Sequence, residues 1–134
     1  MRRAQAAIEL MAVFGVALVL GLLLHTHYYQ VGQEVRQQRL YTSVDSWASQ
    51  AAYTINMAGY SHGLSLDLNV PLFLEGESIS VVVSNTTLVM VAGQVVASRP
   101  IRVASARNAT AFTPFSLAAG YYRVVNQNGT VRIS

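Results

Sequence analysis

The chain has 134 residues, of which 52% are hydrophobic and 11% are charged, a balance shifted away from that of an ordinary soluble protein. It contains no cysteine, which excludes a disulfide framework, thiol chemistry and a cysteine-ligated metal site. The formal net charge is +3, and the basic residues, all arginine, are scattered without the clustered face that phosphate binding needs. We therefore predict one domain with an added terminal helix, and we expect no nucleic-acid partner.

The N-terminal segment is the first predicted element. Two arginines, Arg2 and Arg3, precede an uncharged apolar run over 10–24, and the carboxylate of Glu9 stands directly before that run. A membrane-spanning helix needs about 20 predominantly apolar residues, and residues 4–24, which we call the apolar segment, supply that length. Because arginines are enriched on the cytoplasmic side of such helices, the residues that follow are predicted to lie outside the cell.

A secretory signal fits this segment less well than a membrane anchor does. Such signals have an apolar core of about 7–15 residues and a small-x-small cleavage site directly after it. Here the run is followed by Leu24-His25-Thr26-His27, which are bulky or polar. Glu9 also places a charge where such signals have none, and an acid inside an apolar segment is a functional hypothesis by default. The alternative for Glu9 is a position at the headgroup level, with its side chain reaching water.

The residues Arg3-Ala4-Gln5-Ala6-Ala7-Ile8-Glu9-Leu10 resemble the class III signal sequence of archaeal type IV pilin-like proteins. That pattern has a basic residue, then Gly or Ala, then Gln, and a Glu at the fifth position of the mature chain. The resemblance implies that a prepilin peptidase cleaves between Ala4 and Gln5 and discards Arg3 with the leader. It also implies that Glu9 pairs with the N-terminal amine of a neighbouring subunit. Ala7 departs from the family, which often has a hydroxyl residue there.

Beyond residue 25 the helix is predicted to continue as an amphipathic one to about residue 58. Apolar residues recur along one face at helical spacing: Val44, Ala48, Ala51, Ile55 and Ala58. Glycine commonly follows the end of a helix, so the end is predicted at Gly59 or Gly63. Gly32 is the expected place for a bend or break. A helix of this length is far longer than an ordinary globular one.

From residue 64 the hydrophobic period changes from 3.6 to 2, which predicts short strands separated by turns. The predicted strands cover 64–70, 79–83, 87–91, 94–97, 100–104, 120–125 and 130–134. Asn128-Gly129 is a strong hairpin signal. The predicted fold class is therefore α+β, with a long N-terminal helix packed against a C-terminal antiparallel sheet or small β-sandwich, as in pilin-like proteins. The predicted parts are a leader (1–4), a filament-core or membrane helix (5–24), an amphipathic helix (25–60) and a β-rich head (61–134).

Three N-glycosylation sequons fall in predicted turns of the β-rich half, where an acceptor asparagine can be reached. Their acceptors are Asn85, Asn108 and Asn128. The predicted outward topology makes them usable, although a surface of this size rich in Ser and Thr would carry one or two by chance.

Other polar and aromatic clusters favour structural roles over catalysis. His25 and His27 could ligate a metal, but side chains two apart do not share a helix face, and an interfacial belt at a membrane helix end fits them better. Trp47, Tyr41 and Tyr53 could bind a ligand, but packing against a sheet is the commoner fate of such aromatics. No nucleophile with a base, phosphate loop or metal-spaced cluster emerges. We expect no enzyme, metal or cofactor.

The resemblance implies a structural subunit of an extracellular filament. Its partners would be copies of itself in a helical homopolymer, the prepilin peptidase with the pilus assembly machinery, and the membrane before assembly. The precursor would lie in the cell membrane and the product on the cell surface, where adhesion is the implied role. Two alternatives stay open: a minor or accessory pilin for filament priming, secretion or DNA uptake, and a single-pass membrane protein whose β head binds a ligand at the cell surface.

Overall fold

A computed structural model of the protein describes residues 2–103, 105–108 and 112–134. One helix, α1 (Arg2–Tyr60), precedes the strands, and together they form the predicted α+β fold, with the helix packed against mainly antiparallel sheet. The strands in the described residues are β1 (Ser65–Val70), β2 (Phe73–Leu74), β3 (Glu77–Val83), β4 (Thr87–Ala92), β5 (Val95–Pro100), β6 (Ala106–Arg107), β7 (Phe115–Leu117), β8 (Gly120–Gln127) and β9 (Thr130–Ile133). The chain divides into two compact units, Met1–Gln37 and Gln38–Ser134, and we call the second the folded unit.

Helix α1 contains 59 residues and is uninterrupted at Gly32, where a bend or break was expected. No proline lies within it, so no backbone donor is lost along its length. It ends at Tyr60, between the two glycines predicted to end it. Gly63 has a φ of 76°, a conformation that glycine adopts without steric cost, and it turns the chain into β1.

The strands form two sheets within the folded unit. One has the order β1-β8-β9-β6, and the other has the order β2-β3-β4-β5, with β7 also paired to β3. The pairs are antiparallel except for β6 and β9, which run parallel. Strands β3, β4 and β5 follow one another as neighbours because short turns connect them, and antiparallel strands can be joined that way.

The core of the folded unit forms where one face of α1 meets both sheets. The five helix residues predicted to share a face are all buried, with exposed fractions of 0% to 1%. They belong to one hydrophobic cluster with residues of both sheets, including Met90 of β4 and Val124 of β8. The predicted alternation also holds in β1, where Leu68 and Val70 are buried and Asp67 is exposed. Burial of this apolar surface is the main force holding the folded unit together.

Polar contacts fix the position of α1 on β5. The Arg99 guanidinium forms an ion pair with Asp45 of the helix, and its Nε donates to Ser49 Oγ at 2.8 Å. Both charged side chains are about one-third exposed, so the ion pair contributes at most about 1 kcal/mol. Its main effect is on register, because one guanidinium contacts two residues one helical turn apart.

The hairpin predicted at Asn128-Gly129 is present. Gln127 pairs with Thr130, which leaves a two-residue turn between β8 and β9. Both turn residues have positive φ, 53° at Asn128 and 84° at Gly129, as a type I′ turn requires. The twist of that turn matches the twist of the flanking strands, which explains why Asn-Gly specifies it.

The strand predicted over 100–104 is wrong. Strand β5 takes in Pro100 and ends there, and residues 101–103 are irregular, while residue 104 lies outside the described residues. The reason is a helix side chain that replaces the strand partner. Asn56 accepts a hydrogen bond from the Arg102 backbone N–H at 2.6 Å through its Oδ1, and its Nδ2 donates to the Pro100 carbonyl at 3.3 Å. The amide of Asn56 therefore satisfies backbone groups that a neighbouring strand would otherwise pair.

Replacing Gly59 by alanine is expected to destabilise the folded unit by about 1 kcal/mol. A Cβ at Gly59 would lie 2.6 Å from Val103 Cγ1, and overpacking of this kind typically costs about 1–3 kcal/mol, against about 1 kcal/mol gained in helix propensity. Denaturant unfolding followed by the fluorescence of Trp47, the one tryptophan in the chain, measures the change.

Gly32 offers the matched control for Gly59 in the same helix. A Cβ there meets no atom within 4 Å, so Gly32→Ala should leave the unfolding midpoint of the folded unit unchanged. Adding Val103→Ala to Gly59→Ala should remove the close contact and restore part of the loss. Equal midpoints for Gly59→Ala and Gly32→Ala would contradict the role assigned to Val103.

Candidate processing and assembly segment

The side chains of the apolar segment are exposed in the part of the chain that the structure describes. Every residue from 4 to 39 is exposed, and the large apolar side chains are more than half exposed throughout residues 8–24, for example Phe14 at 67% and Leu22 at 59%. In α1 the structure has a helix long and apolar enough to cross a membrane, with none of its apolar window buried. An apolar surface of this size marks a membrane or protein contact.

Glu9 lies at the N-terminal end of this surface. Its Oε1 accepts a hydrogen bond from the Gln5 side-chain Nε2 at 3.3 Å, one helical turn away. Among residues whose side chains the structure describes, Glu9 forms no ion pair. A carboxylate in apolar surroundings needs a cationic partner or water.

The bond predicted to be cleaved lies within the first turns of α1. Ala4 and Gln5 are both helical and exposed, and Arg3 is helical. The first turn carries no acidic residue, so it lacks the negative charge that stabilises a helix N-terminus. Helix ends fray at little cost in free energy, which makes the backbone of Ala4 accessible without disturbing the folded unit. Cleavage itself stays a prediction.

The three sequon asparagines differ in their surroundings. Asn85 is exposed in a tight turn that the Ser84 N–H closes on the Thr87 carbonyl at 2.8 Å. Asn128 is exposed at the first position of the β8–β9 hairpin turn. Asn108 is half-buried, and the other two residues of its sequon lie outside the described residues. Asn85 and Asn128 are therefore the more reachable acceptors, and their glycosylation stays a prediction.

Of the three aromatic residues of α1 that were expected to pack against the sheet, one does so and two do not. Trp47 packs against the core, as predicted, and its Nε1 donates to the Asn69 carbonyl at 2.9 Å. Tyr41 and Tyr53 were expected to pack on the sheet and are instead 58% and 64% exposed. Tyr53 lies on the opposite side of the helix from the buried residues, whereas Tyr41 comes one turn before Val44, the first buried residue of α1. Their phenol rings remain available to a partner.

The histidines near the end of the apolar segment are exposed side chains. His27 and Tyr28 have ring centroids 6.4 Å apart at a tilt of 57°. Within the described residues, no three side chains from His, Cys, Asp and Glu come close enough to hold a metal ion. The interfacial belt proposed for His25 and His27 stays a prediction.

Sequence reasoning missed a groove beside Trp47 on the folded unit. The groove lies between α1 and β1 and has a volume of about 390 Å³. Gln50 and Thr54 line it at positions three and seven after Trp47, and Asp67 and Asn69 line it from alternate positions of β1. The signal available in the sequence was this pair of spacings, which places polar side chains on one helix flank and on one strand face.

Fold and segment together define a class: an α+β protein with one N-terminal helix of membrane-spanning length and a β-rich folded unit. Comparison of the chain with protein-family models, with curated proteins and with solved structures found no match.

Proposed function

We propose that this protein is a structural subunit of an extracellular type IV pilus-like filament. A prepilin peptidase cleaves the precursor between Ala4 and Gln5, and the product assembles with copies of itself through its apolar helix. The single observation that carries the proposal is the exposed apolar segment, which contains Glu9 near its start and overlaps the Arg3-Ala4-Gln5 motif. The filament serves adhesion to surfaces.

The apolar segment has two uses in succession. In the precursor it holds the subunit in the bilayer, whose hydrocarbon core it is long enough to cross. In the filament the same side chains pack against neighbouring copies, which removes from water a surface that the described part of the chain leaves exposed. The same apolar surface thus contacts lipid in the precursor and neighbouring subunits in the filament.

Glu9 makes assembly depend on cleavage. In the precursor Gln5 is an internal residue with a neutral backbone nitrogen, so no terminal amine exists at that position. Cleavage creates a cationic amine on Gln5, and the amine of one subunit can then pair with Glu9 of the next. Because an unpaired carboxylate in apolar surroundings is strongly disfavoured, this pair favours the processed subunit over the precursor. The observation that supports this role is the exposed position of Glu9 among exposed apolar side chains, where a neighbouring subunit could reach it.

Loss of the leader also changes the charge of the subunit. Removal of Arg2 and Arg3 from the nine basic residues leaves seven against six acidic residues, a formal charge of +1 before the termini are counted. A subunit so close to neutrality meets little long-range repulsion from identical neighbours.

The experiment is the intact mass and N-terminal sequence of protein sheared from the surface of native cells. We expect a chain that begins at Gln5, recovered in a high-mass filament fraction, with any excess mass reporting glycans. High abundance in that fraction identifies a major subunit, and a trace amount identifies a minor one. A chain that begins at Met1 and stays in the membrane overturns the proposal and supports the membrane-anchored surface-binding protein.

A further inference from the structure

The groove between α1 and β1 has the dimensions of a ligand site. Its volume of about 390 Å³ lies within the range of about 300–1,000 Å³ that small-molecule sites occupy. Its floor is formed by Ala51 and Leu68, which are 1% and 4% exposed and belong to the hydrophobic core. Because core residues support the floor, the groove is preformed, and a ligand meets little cost of ordering the protein.

The walls carry neutral hydrogen-bonding groups of both kinds. The exposed amides of Gln50 and Asn69 can donate and accept. Thr54 donates its hydroxyl hydrogen to the Gln50 carbonyl at 3.0 Å, which leaves its oxygen free to accept from a ligand. Asp67 adds one carboxylate acceptor, whose nearest cation is Arg123 at 3.9 Å in an exposed pair. The lining therefore offers several polar contacts and little net charge.

Trp47 supplies a fixed apolar wall. Its indole Nε1 donates to the Asn69 carbonyl at 2.9 Å, and the ring packs against the core. A hydrogen-bonded indole held by packing loses little further freedom when a ligand lies against it. The groove thus combines one rigid aromatic surface with donors and acceptors arranged around it.

We propose that this groove binds a neutral saccharide. A sugar ring presents hydroxyl groups at its rim and C–H groups on its faces, so it needs both an apolar wall and amide or carboxylate partners. A phosphate-bearing ligand fits poorly, because no arginine lines the groove and Asp67 would repel it. An acyl chain fits poorly as well, because it would leave the amides of Gln50 and Asn69 without partners. This inference deepens the proposed adhesive role. It rests on that role only for the biological purpose of saccharide binding, and the binding itself does not depend on it.

The test uses the full chain in micelles of a zwitterionic detergent, since alkyl glycoside detergents carry sugars themselves. Trp47 is the one tryptophan in the chain and lies in the groove, so its fluorescence reports on that site. Maltohexaose, cellohexaose and chitohexaose are the probes. We expect a saturable change with at least one of them, with a Kd of about 0.1–1 mM as suits a small open site. No saturable change with any of the three overturns the proposal.

Two pairs of matched variants separate groove binding from general effects. Gln50→Ala should weaken binding about fivefold through the loss of one hydrogen-bonding side chain, whereas Gln37→Ala, on an exposed site outside the groove, should not. Thr54→Val should also weaken it, whereas Thr42→Val removes a hydroxyl with the same contact to its own helix, 2.9 Å to the Gln38 carbonyl, and should not. Binding that is unchanged in both Gln50→Ala and Thr54→Val overturns the assignment of the site.

The binding experiment can contradict the saccharide site without contradicting the proposed function, and the reverse also holds. It requires neither cleavage at Gln5 nor assembly. A chain that binds a saccharide but stays unprocessed in cells would support the saccharide site and overturn the filament function. A chain that is processed and assembled but binds none of the probes would support the filament function and overturn the saccharide site.

Discussion

Replacing Glu9 by glutamine is expected to lower the yield of sheared filaments at least tenfold while leaving the subunit in the membrane. The substitution keeps the shape of the side chain and removes its charge, so the amine of a neighbouring Gln5 would be buried without its partner. Breaking one side of a buried ion pair costs about 3–5 kcal/mol, and each 1.4 kcal/mol changes an equilibrium tenfold. Membrane insertion should not suffer, because a neutral amide is less costly in the bilayer than a carboxylate.

Glu34 provides the control for Glu9. It lies on the same helix, is exposed, and falls outside the apolar segment, so Glu34→Gln changes the net charge by the same amount. Immunoblots of sheared filaments and of membranes, run side by side for both variants, give the comparison. Wild-type filament yield from Glu9→Gln would instead place Glu9 at the headgroup level with no part in assembly.

Replacing Asn126 by aspartate is expected to destabilise the folded unit by about 3–5 kcal/mol, the largest effect on stability that we predict for a single exchange. Asn126 is 5% exposed and makes two hydrogen bonds. Its Nδ2 donates to the Gly59 carbonyl at 2.9 Å, and its Oδ1 accepts from the Gly129 N–H at 2.9 Å. Aspartate loses the donor and places a buried carboxylate beside a carbonyl oxygen, which leaves a charge without compensation.

Asn128 is the matched site for this exchange, two residues away in the same hairpin. It is exposed, and aspartate tolerates the positive φ that the turn requires. Asn128→Asp should therefore change the free energy of unfolding by less than about 0.5 kcal/mol. Denaturant unfolding at neutral pH checks both variants, and equal values would show that Asn126 does not join the end of α1 to the hairpin.

Periodicity predicted the parts of the fold whose partners are local or apolar. The buried face of α1 and the alternation of β1 follow from side-chain spacing alone, and the hairpin follows from the two residues of its turn. The boundary at Pro100 could not be found this way, because it depends on Asn56, a helix residue more than forty positions earlier. The parallel pairing of β6 with β9 is of the same kind, since a strand of two residues carries no periodic signal.

The candidate sites show the same difference between features that local sequence predicts and features that depend on tertiary packing. The apolar segment and Glu9 could be predicted because a run of apolar residues with one acid is a one-dimensional signal. The groove could not, because Trp47 and Asn69 come together only when α1 and β1 pack. Tyr41 and Tyr53 show the opposite error, because aromatic residues on a helix that contacts a sheet were expected to be buried and these two are exposed. Tyr53 is exposed by its position around the helix, and Tyr41 by its position before Val44, where burial begins.

One edge strand of each sheet is protected against pairing with a strand of another copy. Strand β1 ends one sheet, and the indole of Trp47 occupies the Asn69 carbonyl that an incoming strand would need. Strand β5 ends the other, where Pro100 has no N–H to donate and Arg99 is held by the helix. Unprotected edges template strand-to-strand aggregation. At these two edges, copies held side by side are therefore hindered from pairing strand to strand.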